Sequence, residues 1–119
     1  MIGQQFFDYD SRGIGLRRAN LTGADLGDLY LNDVSLYKAA LTRADLTGTE
    51  LTGTDLSYAD LTEAKLIDAE LSAANLTGAT FHMADLTRVN LSGANLTGSD
   101  LRPISLTQTL LTRILVMLI

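Results

Sequence analysis

The chain has 119 residues, a single proline, no cysteine and a formal net charge of -5 at pH 7. That length builds one domain, the missing thiols exclude disulfides and thiolate metal sites, and a lone His82 excludes a histidine-rich metal cluster. The acidic balance argues against nonspecific attachment to nucleic acid or to an anionic membrane.

The opening segment, MIGQQFFDYDSRG, carries aspartates and no apolar core, so it does not read as a secretory signal and the chain is expected in the cytoplasm. Residues 1–13, with Phe6, Phe7 and Tyr9, are expected to form an N-terminal cap. From Ile14 to Arg113 a five-residue period runs without a break. A leucine recurs at Leu16, Leu21, Leu26 and every fifth position to Leu111, with Phe81 in its place once. Two residues before it stands a small or apolar residue, mostly alanine, with Leu29, Val34, Thr49 and Thr54 as variants. Asp or Asn often precedes the leucine, Thr or Ser usually comes after it, and Gly is often next.

A period of five suits neither regular element. On an α-helix it smears leucines around the circumference, and on a strand it throws alternate leucines to opposite faces. Both apolar positions turn inward together if each pentapeptide makes one side of a square coil, with every twentieth residue stacked on itself at about 4.8 Å. The expected fold is therefore all-β, a quadrilateral β-helix of about five coils over residues 14–113 and roughly 24 Å tall. Gly in the turn suits positive φ, the Asp and Asn side chains point outward, and the Thr and Ser hydroxyls are expected to satisfy main-chain groups at the corners.

After Pro103 the pattern decays. Leu110 and Leu115 take the outward place held elsewhere by Asp or Asn, and Met117, Leu118 and Ile119 complete the chain. The apolar run is too short to span a bilayer, which needs about 20 residues. Residues 114–119 are expected to cap the last coil or to bury themselves in a homodimer formed through this end.

Counting modulo twenty turns the repeat into a surface map. The side centred on Leu16, Leu36 and Leu56 carries Arg17, Arg18, Tyr37, Lys38 and Tyr58, a candidate patch for a protein partner because Tyr and Arg are enriched at interface hot spots. The side centred on Leu26, Leu46, Leu66 and Leu86 carries Asp25, Asp28, Asp45, Asp68 and Asp85, a candidate acidic strip, against Lys65 and Arg88. Stacked Thr22, Thr42 and Thr62 would suit an ice-binding plane, but His82 and Arg102 end that rank. No triad, phosphate loop or metal-ligand spacing occurs, and a convex rod filled with leucine offers no catalytic pocket, so neither an enzyme nor a cofactor is expected.

With Ala19-Asn20-Leu21-Thr22-Gly23, Ala24-Asp25-Leu26, Ala59-Asp60-Leu61-Thr62, Ala74-Asn75-Leu76-Thr77-Gly78 and Ala94-Asn95-Leu96-Thr97-Gly98, the chain resembles the pentapeptide-repeat protein family. The resemblance implies a right-handed quadrilateral β-helix, in a family common in bacteria and especially cyanobacteria, most of whose members have no assigned biochemical activity. It also implies an alternative role, since some members copy the shape of DNA and inhibit DNA gyrase. Charge density weighs against that role. The strip nets -3, whereas 24 Å of duplex carries about fourteen charges. A protein partner is expected, with no direct contact to nucleic acid.

Overall fold

Leucine at every fifth place has nowhere to go but inward, and the computed structural model, which describes residues 15–102, shows how the chain arranges this. From Leu21 to Leu86 each residue at this position, Phe81 included, is essentially inaccessible to solvent. The alanines two places earlier are buried beside them, so one continuous apolar core runs the length of the described coil. Each leucine so buried contributes on the order of 1.5–3 kcal/mol. The two expected caps, residues 1–13 and 114–119, lie outside the described residues, as does the decayed repeat after Pro103.

The coils stack in one register. Parallel bridges join Gly15 to Ser35, Ser35 to Asp55, Asp55 to Asn75 and Asn75 to Asn95, and the other three sides repeat the same twenty-residue step. From Leu16 to Phe81 each N–H at the leucine position donates to the carbonyl of the residue preceding the leucine one coil on, as Leu56 does to Asn75 at 2.8 Å. The Asp/Asn position donates in return to the carbonyl of the small residue in the coil before, as Asn75 does to Thr54 and Asp60 to Ala39. Every bridge is isolated, because a side of the square is too short to hold an extended strand before it turns.

Each side ends in a β-turn closed by a bond from the alanine N–H to the leucine carbonyl three residues earlier, at 3.0 Å for Ala19 and Leu16. The second central residue has positive φ at every one of these turns, which makes them type II. Glycine fills six of the positions, but eleven hold other residues with φ between 55° and 61°: Arg18, Asp28, Asp33, Lys38, Arg43, Tyr58, Glu63, Asp68, Ala73, Met83 and Arg88. For a residue with a Cβ this left-handed conformation costs roughly 1–2 kcal/mol. The register of the stack enforces it, since only this turn returns the next alanine to the core.

The small inward position records its own tolerance. With alanine there the closing bond stays near 3.0 Å, but Leu29 and Val34 stretch it to 3.4 and 3.3 Å. One coil on, buried Thr49 and Thr54 donate their hydroxyls to the same two carbonyls, Leu26 and Leu31, at 2.7 and 2.9 Å. The bulky residue loosens a turn, and the threonine stacked on it restores the hydrogen bonding of a carbonyl that would otherwise be poorly satisfied inside the core.

Two neighbouring alanines separate these effects. Ala73 occupies the positive-φ corner and Ala74 the buried position beside it. Ala73→Gly is expected to raise stability by about 1 kcal/mol and Ala74→Gly to lower it by at least about 1 kcal/mol, measured by denaturant or thermal unfolding.

Candidate functional site

The outward residues form ranks parallel to the axis, one residue per coil, and neighbours in a rank are side-chain neighbours. At one corner the rank after the leucine runs Arg17, Tyr37, Ser57, and the positive-φ rank beside it runs Arg18, Lys38, Tyr58, Gly78. The Arg17 guanidinium lies 4.7 Å from the Tyr37 ring centroid, and the Lys38 ammonium approaches the same ring at 5.3 Å. The Tyr37 and Tyr58 rings meet edge to face, 6.1 Å apart at 83°. Tyr58 then extends over Gly78, where a side chain on the glycine would collide with the ring. Half-buried Tyr37 is thus the hub, and Tyr58, 55% exposed, is the outer plate. All the residues of the sequence-derived patch stand at this corner, though among the described residues no ring or ion-pair contact links Arg18 to the others.

Sequence reasoning found the members of this patch but missed what surrounds them. Over most of the surface, the Asp or Asn before the leucine turns back on its own corner and accepts the N–H two residues on: Asn20 from Thr22, Asp45 from Thr47, Asp60 from Thr62, Asn75 from Thr77 and Asn95 from Thr97. The expectation for the threonine and serine hydroxyls is corrected here. At the corners they donate to these same carboxylate or amide oxygens rather than to the main chain, as Thr62 does to Asp60 and Thr97 to Asn95. The reason is proximity, because the Asx oxygen already sits over the turn to take the N–H. Among the described residues, only inward Thr49 and Thr54, and Ser99, reach main-chain carbonyls.

The patch lacks this device, as do the corners that follow Tyr30, Ala40, Lys65 and Thr80. Gly15 and Ser35 stand where Asp55, Asn75 and Asn95 stand in later coils of the same side, so no side-chain oxygen among the described residues takes the N–H of Arg17 or Tyr37. The Ser35 hydroxyl is buried with no partner among them. Among the described residues nothing lies within 4 Å of the place where a side chain on Gly15 would begin. The missing Asx residues were visible in the sequence, but their meaning depended on knowing what the others do.

The acidic strip proves to be mostly self-engaged. Asp25, Asp45 and Asp85 accept the N–H groups of Gly27, Thr47 and Thr87. Asp28 lies over Gly48 one coil on. Asp68 holds Arg88 through two bonds, at 2.7 and 3.0 Å. Arg102 likewise pairs with Asp100. By contrast Arg17, Arg18, Lys38, Arg43 and Lys65 make no ion pair among the described residues, and the first three share the aromatic corner. The apolar end residues Leu110, Leu115, Met117, Leu118 and Ile119 lie outside the described residues. No helix among the described residues is long and apolar enough to cross a membrane.

These engagements set the response to acid. The Thr47 hydroxyl and N–H beside Asp45 hold its carboxyl below the usual aspartate range, against a smaller opposing push from burial. The Ser72 hydroxyl does the same for Glu70, opposed by burial and helped by the Asn90 side chain. Arg88 lowers Asp68, and the N–H and side chain of Arg102 lower Asp100. A carboxyl with a folded pKa below its unfolded one contributes stability above the unfolded value and loses it as pH falls through the folded value. The melting temperature should therefore hold level from neutrality to about pH 5 and fall below about pH 4. Asp45→Asn, which keeps an oxygen for Thr47, should shrink the acid loss while changing the neutral melting temperature little.

The model of the pentapeptide repeats matches residues 16–53, 54–93 and 90–113, in eight copies. No curated protein matches the chain significantly. Among solved structures, a pentapeptide repeat protein from the cyanobacterium Cyanothece 51142 is 33% identical over 71% of this chain and 61% of its own, with a TM-score of 0.50. This chain thus spans about three fifths of that protein's length. A pentapeptide repeat protein from Nostoc Pcc 7120 is 34% identical over 79% of this chain and 75% of its own, with a TM-score of 0.42. Full-length QnrB1, a plasmid-mediated fluoroquinolone resistance protein, is 20% identical over 98% of this chain and 79% of its own, with a TM-score of 0.30. The uninterrupted five-residue period, its twenty-residue stacking and the family match together place the chain in the pentapeptide repeat family, with the right-handed β-helix fold of its members.

Proposed function

We propose that the chain is a non-catalytic scaffold that docks a protein partner on the corner formed by Arg17, Arg18, Tyr37, Lys38 and Tyr58. The observation that carries this reading is that the corner gathers three cations, none paired with a carboxylate among the described residues, beside two tyrosine rings in contact with each other. Gly15 and Ser35 supply no cap, and Arg18, Lys38 and Tyr58 sit at positive φ where glycine is the unstrained choice. For a ring-bearing residue this conformation is an outlier. Tyr and Arg are also the side chains most often dominant in protein interfaces. Elsewhere leucine fills the interior and side chains stand one row deep on convex faces, an arrangement without the desolvated convergence that acid–base catalysis needs.

A photo-crosslinking tyrosine analogue at position 58 should capture a discrete partner in cells that make this protein, and the same analogue at Thr97, on the same side but further along the rod, should not. Identical products from both positions, or none from either, would refute the reading.

Gyrase binding by mimicry of DNA draws less support. A mimic needs free carboxylates at the spacing of phosphates, whereas Asp25, Asp45 and Asp85 turn back onto their own corners and Asp68 is neutralised by Arg88. The purified chain should leave gyrase supercoiling unaffected at micromolar concentration, and inhibition in that assay would reinstate mimicry as the leading role.

A further inference from the structure

Resting on the corner just proposed as a docking surface, we infer that its partner is an acidic peptide segment whose carboxylates stand in for the side-chain caps that Gly15 and Ser35 do not supply. On this side of the coil Asp55, Asn75 and Asn95 each place an oxygen over the turn, and the N–H groups of Ser57, Thr77 and Thr97 donate to them. In the first two coils no such oxygen is present. The Arg17 and Tyr37 N–H groups have no acceptor among the described residues, a condition shared by the N–H groups of Asn32, Thr42, Ile67 and His82, and what singles out this corner is the charge beside those donors.

The charge at the same spot suits a carboxylate. Arg17 and Lys38 sit on the Tyr37 ring and Arg18 is next to them in sequence, and none of the three is paired with a carboxylate among the described residues. In the later coils the arginines are neutralised, Arg88 by Asp68 and Arg102 by Asp100. A carboxylate arriving here receives main-chain N–H donors aimed as they are at every capped corner, together with guanidinium and ammonium groups. That combination binds a carboxylate more strongly than neutral donors alone. The Tyr58 ring, lying over Gly78, adds a shelf for an apolar side chain of the same segment. Nucleic acid fits less well, since three cations on a chain of net charge -5 neutralise few phosphates.

The experiment uses the full chain and a fluorescein-labelled peptide of alternating Glu and Leu, followed by anisotropy. The peptide should bind, with affinity falling as salt is raised, and its Gln counterpart should bind roughly tenfold more weakly or not at all. Two substitutions keep the fold safe. Ser35→Asn supplies the missing oxygen from within, so it should raise the melting temperature yet weaken the Glu peptide several-fold. Lys38→Gly, at a corner with φ of 55°, should not lower the melting temperature but should weaken the peptide roughly tenfold. Lys65→Gln removes the same charge from another side and should leave binding unchanged.

Unaltered binding in Ser35→Asn overturns the inference, as does an equal loss in Lys65→Gln or a preference for a labelled single strand of poly-thymidine. Should position 58 crosslink a partner while the Glu peptide fails to bind, the docking corner stands and the acidic partner falls. Should both fail, the corner itself is passive.

Discussion

A type II turn with φ near +60° at its second central residue, repeated at every corner, is the constraint on which the rest of this structure depends. It bends the chain sharply enough that five residues complete one side, and it returns both the leucine and the alanine to the interior. Once the corner is made, the leucine N–H and the Asp/Asn N–H point along the axis, and the coils bond to one another in a twenty-residue register. The core and the hydrogen-bond ladder are therefore consequences of one backbone conformation. Either would be lost if the corner relaxed to negative φ.

That constraint also divides the surface into places where side chains fit freely and places where they are strained. Glycine answers the corner at no steric cost, yet charged and aromatic residues hold most of these positions. The cooperativity of the stack makes this possible, since a strained corner is held by bonds to the coils on both sides. Strain of this kind informs about use. Ala73 gains nothing visible from its place, whereas Tyr58 and Lys38 project from theirs into one assembly with Tyr37 and Arg17. The same geometry that strains a residue at the corner also thrusts its side chain outward, where a partner can meet it.

The second organising device is the oxygen over the turn. Asx side chains, with glutamate once in Glu70, take the outward N–H of the corner and the hydroxyl beside it, so much of the acidic charge is engaged in holding the fold. This leaves few of the strip's aspartates free to face solvent. Acidic composition and a cationic corner thus coexist because many of the carboxylates are engaged by their own turns, Asp55 on the cationic side included.

Much of this could be read from the amino-acid order. The leucine period dictated an interior position every fifth residue, the small residue two places before it dictated close packing, and counting modulo twenty brought Arg17, Tyr37, Lys38 and Tyr58 to one side on the repeat alone. Periodic burial is a local property, so a repeat writes it plainly. What only the tertiary structure decided was direction and partnership. Aspartates that alternate with leucine could as well face solvent freely as fold back on their turns, and a tyrosine after a leucine carries no sign that an arginine one coil away will lie on its ring. Those choices depend on the corner dihedral and on contacts twenty residues apart, where neighbours in space are made by the stacking of coils and not by adjacency in the chain.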